Sequence, residues 1–243
     1  MVKFNHYGTS HKGLRQNNQD TWTSFTNKEG TLFVVVADGM GGHIGGEMCS
    51  QLTANIMKRF FNAIELKGKT TQQISFTATK AVKYLSKKLE QYSEEHPDLI
   101  DMGTTLNMNI FLDDYFLNLN VGDSRTTKFT KHKNVQISED QNMATAAKKD
   151  PSLAKWKNHT NLLTSSIGPK KTTTLEIVST EYDKKGYVFM TTDGIHGYIS
   201  VKDTHKIING KESLQEKVDS IIETSLTNGS TDNLTGVLIQ YEK

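Results

Sequence analysis

Leu32-Phe33-Val34-Val35-Val36-Ala37-Asp38-Gly39-Met40-Gly41-Gly42-His43 is the stretch that decides how the rest of the chain is read. Its first half is a continuous apolar run rich in β-branched residues, which predicts a strand buried on both faces. The run stops at Asp38, so a carboxylate sits at the end of a buried strand, and the glycines that follow allow close backbone approach. Carboxylates in similar settings recur far away in the chain, at Asn18-Gln19-Asp20, Asp193-Gly194 and Asp232-Asn233. Most of them end or adjoin an apolar strand-like run, and the fold is expected to aim them at one common edge. Hard divalent cations such as Mg²⁺ and Mn²⁺ prefer oxygen ligands, and a binuclear site needs several carboxylates gathered from different segments.

Outward from this stretch, two strand-like segments precede it. Ile44, Met48, Leu52, Ile56 and Phe60 follow at every fourth residue, and Ile74, Ala78, Ala81, Val82, Leu85, Leu89 and Tyr92 repeat at helical spacing. These predict two long amphipathic helices, the second stopped before His96-Pro97. The pattern then changes to period two. Thr105 to Ile110 and Leu117 to Val121 alternate apolar and polar residues around Asp113-Asp114, which predicts a β-hairpin with one buried face. Further strands are expected at Thr127–Thr130, Val135–Ser138, Leu175–Thr180, Tyr187–Thr192 and Leu234–Tyr241, and a late helix at Leu214–Leu226. Residues 139–164 are polar and aperiodic, the signature of a functional loop.

Composition narrows the class. The chain has 243 residues, enough for one sizeable domain, and no shift in composition asks for a second. A net charge of +2 from 29 basic and 27 acidic residues gives no electrostatic footprint for nucleic acid or an anionic membrane. The single cysteine, Cys49, excludes an internal disulfide and reads as a buried small hydrophobe. No run approaches the length of a membrane span and the first residues lack an apolar signal core, so a cytoplasmic enzyme is expected.

Taken in order, the motifs resemble the metal-dependent Ser/Thr protein phosphatases of type 2C, in their bacterial single-domain form. The resemblance runs through Ser10-His11-Lys12-Gly13-Leu14-Arg15, Asn18-Gln19-Asp20, Val36 to His43 with Gly46-Glu47, and Gly103-Thr104-Thr105-Leu106. It continues through Val121-Gly122-Asp123-Ser124-Arg125, Thr192-Asp193-Gly194 and Ser230-Thr231-Asp232-Asn233-Leu234-Thr235. Each motif alone is weak, since Asp-Gly and Asp-Asn pairs are ordinary turn chemistry; their joint order is specific. The resemblance implies an α+β fold, a four-layer α-β-β-α sandwich with two central antiparallel sheets flanked by paired helices. It implies one phosphatase domain over 1–243, with residues 139–164 as a flap-like insertion.

It also implies roles. Asp38 matches the carboxylate bridging two Mg²⁺ or Mn²⁺ ions, Gly39 a backbone carbonyl ligand, and Asp20, Asp193 and Asp232 the remaining core ligands. Asp123, with Asp193, matches a third, weaker metal position, and Arg15 the phosphate-binding arginine, whose planar fork suits phosphate oxygens. Gln19, His43 and Asn233 are candidates to support the ligands from behind. The implied reaction is hydrolysis of phosphoserine and phosphothreonine by a metal-bridging water, with no covalent phosphoenzyme. Implied partners are phosphoproteins made by a Ser/Thr kinase, met by a monomer. A catalytically silent phosphoprotein-binding domain and a hydrolase of small phosphoesters are the alternatives. Gln19 stands where many relatives have glutamate and keeps hydrogen bonding without the charge.

Overall fold

The structure, a computed structural model, describes residues 2–41 and 45–243. Gly42, His43 and Ile44 lie outside the described residues. The chain runs β1 (Lys3–His11), β2 (Asp20–Thr26), β3 (Leu32–Met40), α1 (Gly45–Asn62), α2 (Thr71–Glu95), β4 (Gly103–Thr104), β5 (Leu106–Phe111) and β6 (Tyr115–Val121). Then come β7 (Arg125–Phe129), β8 (Asn134–Gln136), α3 (Met143–Lys149), β9 (Glu176–Glu181), β10 (Lys185–Thr191), α4 (Asp193–His196), α5 (Val201–Ile208), α6 (Leu214–Thr227) and β11 (Leu234–Glu242).

Two antiparallel sheets result, ordered β2-β3-β5-β6-β9, with short β4 also on β3, and β1-β11-β10-β7-β8. The buried run at residues 32–37 shows why they stack. Phe33 and Val35 face α1 and α2 in one core, beside Leu85, Leu89, Met108 and Leu119, while Val34 and Val36 face the second sheet in another, beside Val188 and Ile239. A third core packs Phe189 and Leu238 of the second sheet under Ile208, Val218 and Ile221 of α5 and α6. Helix, sheet, sheet and helix therefore form the four layers expected. α2 opens with a reciprocal capping box between Thr70 and Gln73, ends at His96 ahead of Pro97, and so holds the bounds its periodicity predicts.

The β5–β6 hairpin departs from expectation. It pairs Asn107 with Asn120 and Asn109 with Asn118, and all four asparagines are fully buried, so both faces of the hairpin are covered. The polar face meets not water but the second sheet, where Thr126 Oγ1 accepts from Asn109 and Asn118 at 3.0 Å each and donates to Asn107 Oδ1 at 2.5 Å. Amides bonded to one another and to a hydroxyl pair most of these buried polar groups, Asn118 Oδ1 alone among the four side chains' atoms having no partner among the described residues. Alternation reads the same whether its polar face is wet or paired.

Residues 139–164 are also more regular than their sequence suggests. They contain α3, capped by Asn142 (Thr145 N–H to Asn142 Oδ1, 3.0 Å), and a 3₁₀ turn at Pro151–Trp156. The excursion is closed at its base, where Thr164 N–H donates to Gln141 O at 2.9 Å and Met143 N–H to Leu162 O at 2.8 Å. Cys49 is buried in α1, and among the described residues no helix is long and apolar enough to cross a membrane.

Candidate metal centre

The expected aspartates meet at one end of the sandwich, each set there by a strand. Asp20 opens β2 and stands directly opposite Asp38 in the β2–β3 register. Asp193 follows β10, Asp232 precedes β11, and Asp123 occupies the turn between β6 and β7. Close packing requires the glycines beside two of them. A Cβ on Gly39 would lie 2.1 Å from the Gly46 carbonyl, and one on Gly194 only 1.9 Å from the Asn233 carbonyl. In both Asp-Gly pairs the glycine is therefore demanded by approach of another segment, beyond the needs of a turn.

Their electrostatics are those of crowded acids. Burial pushes the Asp38 carboxyl well above the ordinary carboxylate range, and Asp20, Asp193, Asp123 and Asp232 add repulsion. Burial lifts Asp20 to about 7 against hydrogen bonds from Thr235 and Thr192, with Asp193 and Asp232 adding to the rise. Asp123 is also pushed up to about 7, by burial and then by Asp193 and Asp140, and Asp193 is raised by burial and by Asp232. Asp20 shows what is missing. Its Oδ2 accepts from Thr192 Oγ1 at 2.8 Å, while its buried Oδ1 has no hydrogen-bond partner among the described residues. Such a group is costly unless it protonates or meets a cation. An all-oxygen donor set with an orphaned carboxylate oxygen fits a hard divalent ion. Among the described residues no three acidic, histidine or cysteine side chains close on a single point.

The supporting residues expected from sequence fall into place unequally. Asn233 is a hub: its Oδ1 accepts from Gln19 N–H at 2.8 Å, and its Nδ2 donates to the carbonyls of Lys12 and Asn17 at 2.8 and 2.9 Å. It thus ties the start of β11 to the β1–β2 loop that carries Arg15. Gln19 turns its amide to the Gly41 carbonyl at 3.2 Å, and its own carbonyl accepts from Gly39 N–H and Ser50 Oγ. Arg15 lies at the rim, with 57% of its side chain exposed, its Nη2 donating to Asp232 Oδ2 at 2.8 Å. His43 lies outside the described residues.

Other residues of the site were not anticipated. Thr104 and Thr105 hold the Asp38 backbone: Thr105 Oγ1 accepts from Asp38 N–H at 2.9 Å, and Thr104 Oγ1 donates to Asp38 O at 2.9 Å. Ser124 Oγ shares a hydrogen bond of 2.7 Å with Thr105 Oγ1. Arg125 forms a two-pronged ion pair with Asp140, at 2.9 and 2.6 Å, beside the site. His196 ends α4. Burial first, and then the neighbouring Arg125, push its imidazole down to about 3, so the ring is neutral, and Nδ1 is 3.0 Å from Thr191 Oγ1. The local clues were hydroxyl residues next to four of the aspartates, Thr21, Ser124, Thr192 and Thr231, whereas Asp38 is flanked by Ala37 and Gly39.

Comparison with known proteins agrees with this geometry. The chain is 26% identical over 240 residues to the serine/threonine phosphatase stp of Listeria monocytogenes (serotype 4b, strain F2365), covering 97% of this chain and 95% of that one. Serine/threonine phosphatase Stp1 from Staphylococcus aureus superposes with a TM-score of 0.87 at 23% identity, over 98% of this chain and 94% of that one. The catalytic domain of PstP, solved with two manganese ions, superposes with a TM-score of 0.85 at 22% identity over the full length of both. Those structural likenesses concern the fold, whereas the family model for protein phosphatase 2C matches residues 7–238 in sequence, across every strand that delivers an aspartate. The chain belongs to the protein phosphatase 2C family.

Proposed function

We propose that the protein removes phosphate from phosphoserine and phosphothreonine of other proteins, with Asp20, Asp38, Asp193, Asp232 and the Gly39 carbonyl holding two divalent ions. The observation that carries this reading is the convergence of buried aspartates from separate segments beneath a rim arginine. Divalent ions bound there supply positive charge for phosphoryl oxygens and make water acidic enough to react near neutral pH. Arg15, exposed at the rim, is free to exchange Asp232 for a substrate phosphate, which its fork grips through two oxygens. Thr192 orients Asp20, Thr104 and Thr105 fix the Asp38 backbone, and Asn233 holds the loop that presents Arg15. Ser124 does not serve as a nucleophile in this reading, since its hydroxyl is buried and bonded to Thr105. Asp123 with Asp193 is the proposed third ion position, and His43 a proposed support beside the site. The named activities of the relatives favour phosphoproteins made by a Ser/Thr kinase as substrates. A monomer is the proposed acting form.

The test is phosphate release from a phosphothreonine peptide, with Mn²⁺ titrated in and EDTA as control, for wild type and Asp193→Ala. Metal-dependent release that the substitution abolishes is expected. Folded protein that releases no phosphate at any Mn²⁺ or Mg²⁺ concentration would overturn the proposal, and faster turnover of small phosphoesters than of phosphopeptides would reassign the substrate.

A further inference from the structure

The buried asparagines between the sheets reach the aspartate cluster through one turn. Asn120 Nδ2 donates to the Gly122 carbonyl at 3.2 Å and to the Glu139 carbonyl at 2.9 Å. The facing Asn107 Nδ2 donates to Asn120 Oδ1 and to the Ser124 carbonyl, both at 2.9 Å. Gln141 grips the turn from the far side: its N–H donates to Gly122 O at 3.0 Å, and its Oε1 accepts from Gly122 N–H at 2.9 Å. Both residues flanking Asp123 are thus held through their backbone by side-chain amides. Glu139, first residue of the 139–164 excursion, hangs from the same Asn120.

We infer that Asn107, Asn120 and Gln141 are positioning residues that clamp the Gly122-Asp123-Ser124 turn, so that the Asp123 carboxylate is presented to the other aspartates and coupled to the base of residues 139–164. The inference rests on the reading of Asp123 as a donor to a divalent ion. A carboxylate on an unclamped turn must be ordered when the ion arrives, and that ordering weakens binding. Buried amides suit the task, because each makes several bonds in a low-dielectric layer where leaving one unmade is costly. Asn109 provides an internal control. It is equally buried and bonds to Thr126 and Asn118, one rung further from the turn.

Asn120→Leu, Gln141→Ala and Asn109→Leu are compared with wild type in two measurements. The first is amide hydrogen exchange of the EDTA-treated protein, where Gly122 and Gln141 are expected to exchange faster in Asn120→Leu and Gln141→Ala but not in Asn109→Leu. The second is calorimetric titration with Mn²⁺, where the weaker binding event is expected to loosen about tenfold in Asn120→Leu, the scale of losing a ligand's supporting partner. Wild-type exchange at both amides in both turn variants would overturn the clamp, as would equal weakening by Asn109→Leu. Gln141 is only partly buried, so Gln141→Ala keeps the test decisive if Asn120→Leu does not fold. Asp123→Asn separates the two ideas. If it leaves Mn²⁺ binding unchanged, the ion role of Asp123 fails while hydrogen exchange still decides the clamp.

Discussion

The space between the two sheets has two ends built from the same strands to opposite purposes. At one end Phe111, Phe116, Tyr182 and Tyr241 pack ring against ring, with centroids 5.0 to 5.9 Å apart. At the other, Asp20, Asp38, Asp123 and Asp193 crowd together beside Asp232, and burial and mutual repulsion raise the affinity of those four for protons. β3 passes from one regime to the other within a few residues, from Leu32 through Val34 and Val36 to Asp38. The aromatic end stabilises the fold and the acidic end strains it, so function is carried at the cost of stability that the far end offsets. The asparagine layer lies between, polar and largely bonded within itself, with Asn118 Oδ1 left without a partner among the described residues.

Substitutions at the two ends are expected to move activity and stability in opposite directions. The largest effect belongs to the acidic end. Asp38→Asn is expected to lower phosphate release by about 10³-fold, about 4 kcal/mol of barrier, while the melting temperature of the EDTA-treated protein rises because one member of a mutually repelling acid cluster is replaced by an amide. Activity unchanged by this substitution would erase the distinction between the ends. At the aromatic end, Phe116→Ala should cost about 3 kcal/mol of stability, or roughly 6 to 12 °C in melting temperature, leaving turnover per folded molecule unchanged.

The pH dependence sharpens the contrast. In the metal-free protein Asp20 and Asp123 have carboxyls raised to about 7, above their value in the unfolded chain. The folded state then holds protons that the unfolded state has released, so stability is present at low pH and lost as pH rises through 7. The unfolding free energy should fall by on the order of 2 kcal/mol between about pH 6 and about pH 8, seen as a falling melting temperature, and saturating Mn²⁺ should remove the slope. A metal-free protein that grows more stable over that interval would contradict the burial of these groups. The smallest effect is expected at the surface. Lys149→Ala removes the exposed pair with Glu139 and should change stability by less than about 0.5 kcal/mol.

The sequence was most legible where one physical demand dominates. The apolar run before Asp38, the helical spacing from Ile74 to Tyr92 and the hairpin around Asp113-Asp114 each follow from burial, and each stands in the structure. The aspartates could be named because their neighbours in sequence repeat a family pattern. What stayed hidden depends on partners distant in sequence. Nothing local distinguishes an asparagine facing water from one facing Thr126, and Asp140 gives no local sign that it will meet Arg125. The short helices α3, α4 and α5 carry too few turns for periodicity to register, although Asn142 and Ser200 are recognisable caps.

β11 carries a consequence for how the molecule comes into being. It occupies the interior of its sheet, paired with β1 from Lys3↔Glu242 to His11↔Leu234 and with β10 on its other side. Neither neighbour can complete its ladder before residues 234–242 arrive, and Asp232 arrives with them. During synthesis the sheet and the aspartate cluster therefore stay open until residues 232–242 are available. A chain cut short before Asp232 is expected to lack both an interior strand of the second sheet and one of the clustered aspartates, and such long-range closure favours slow, cooperative folding.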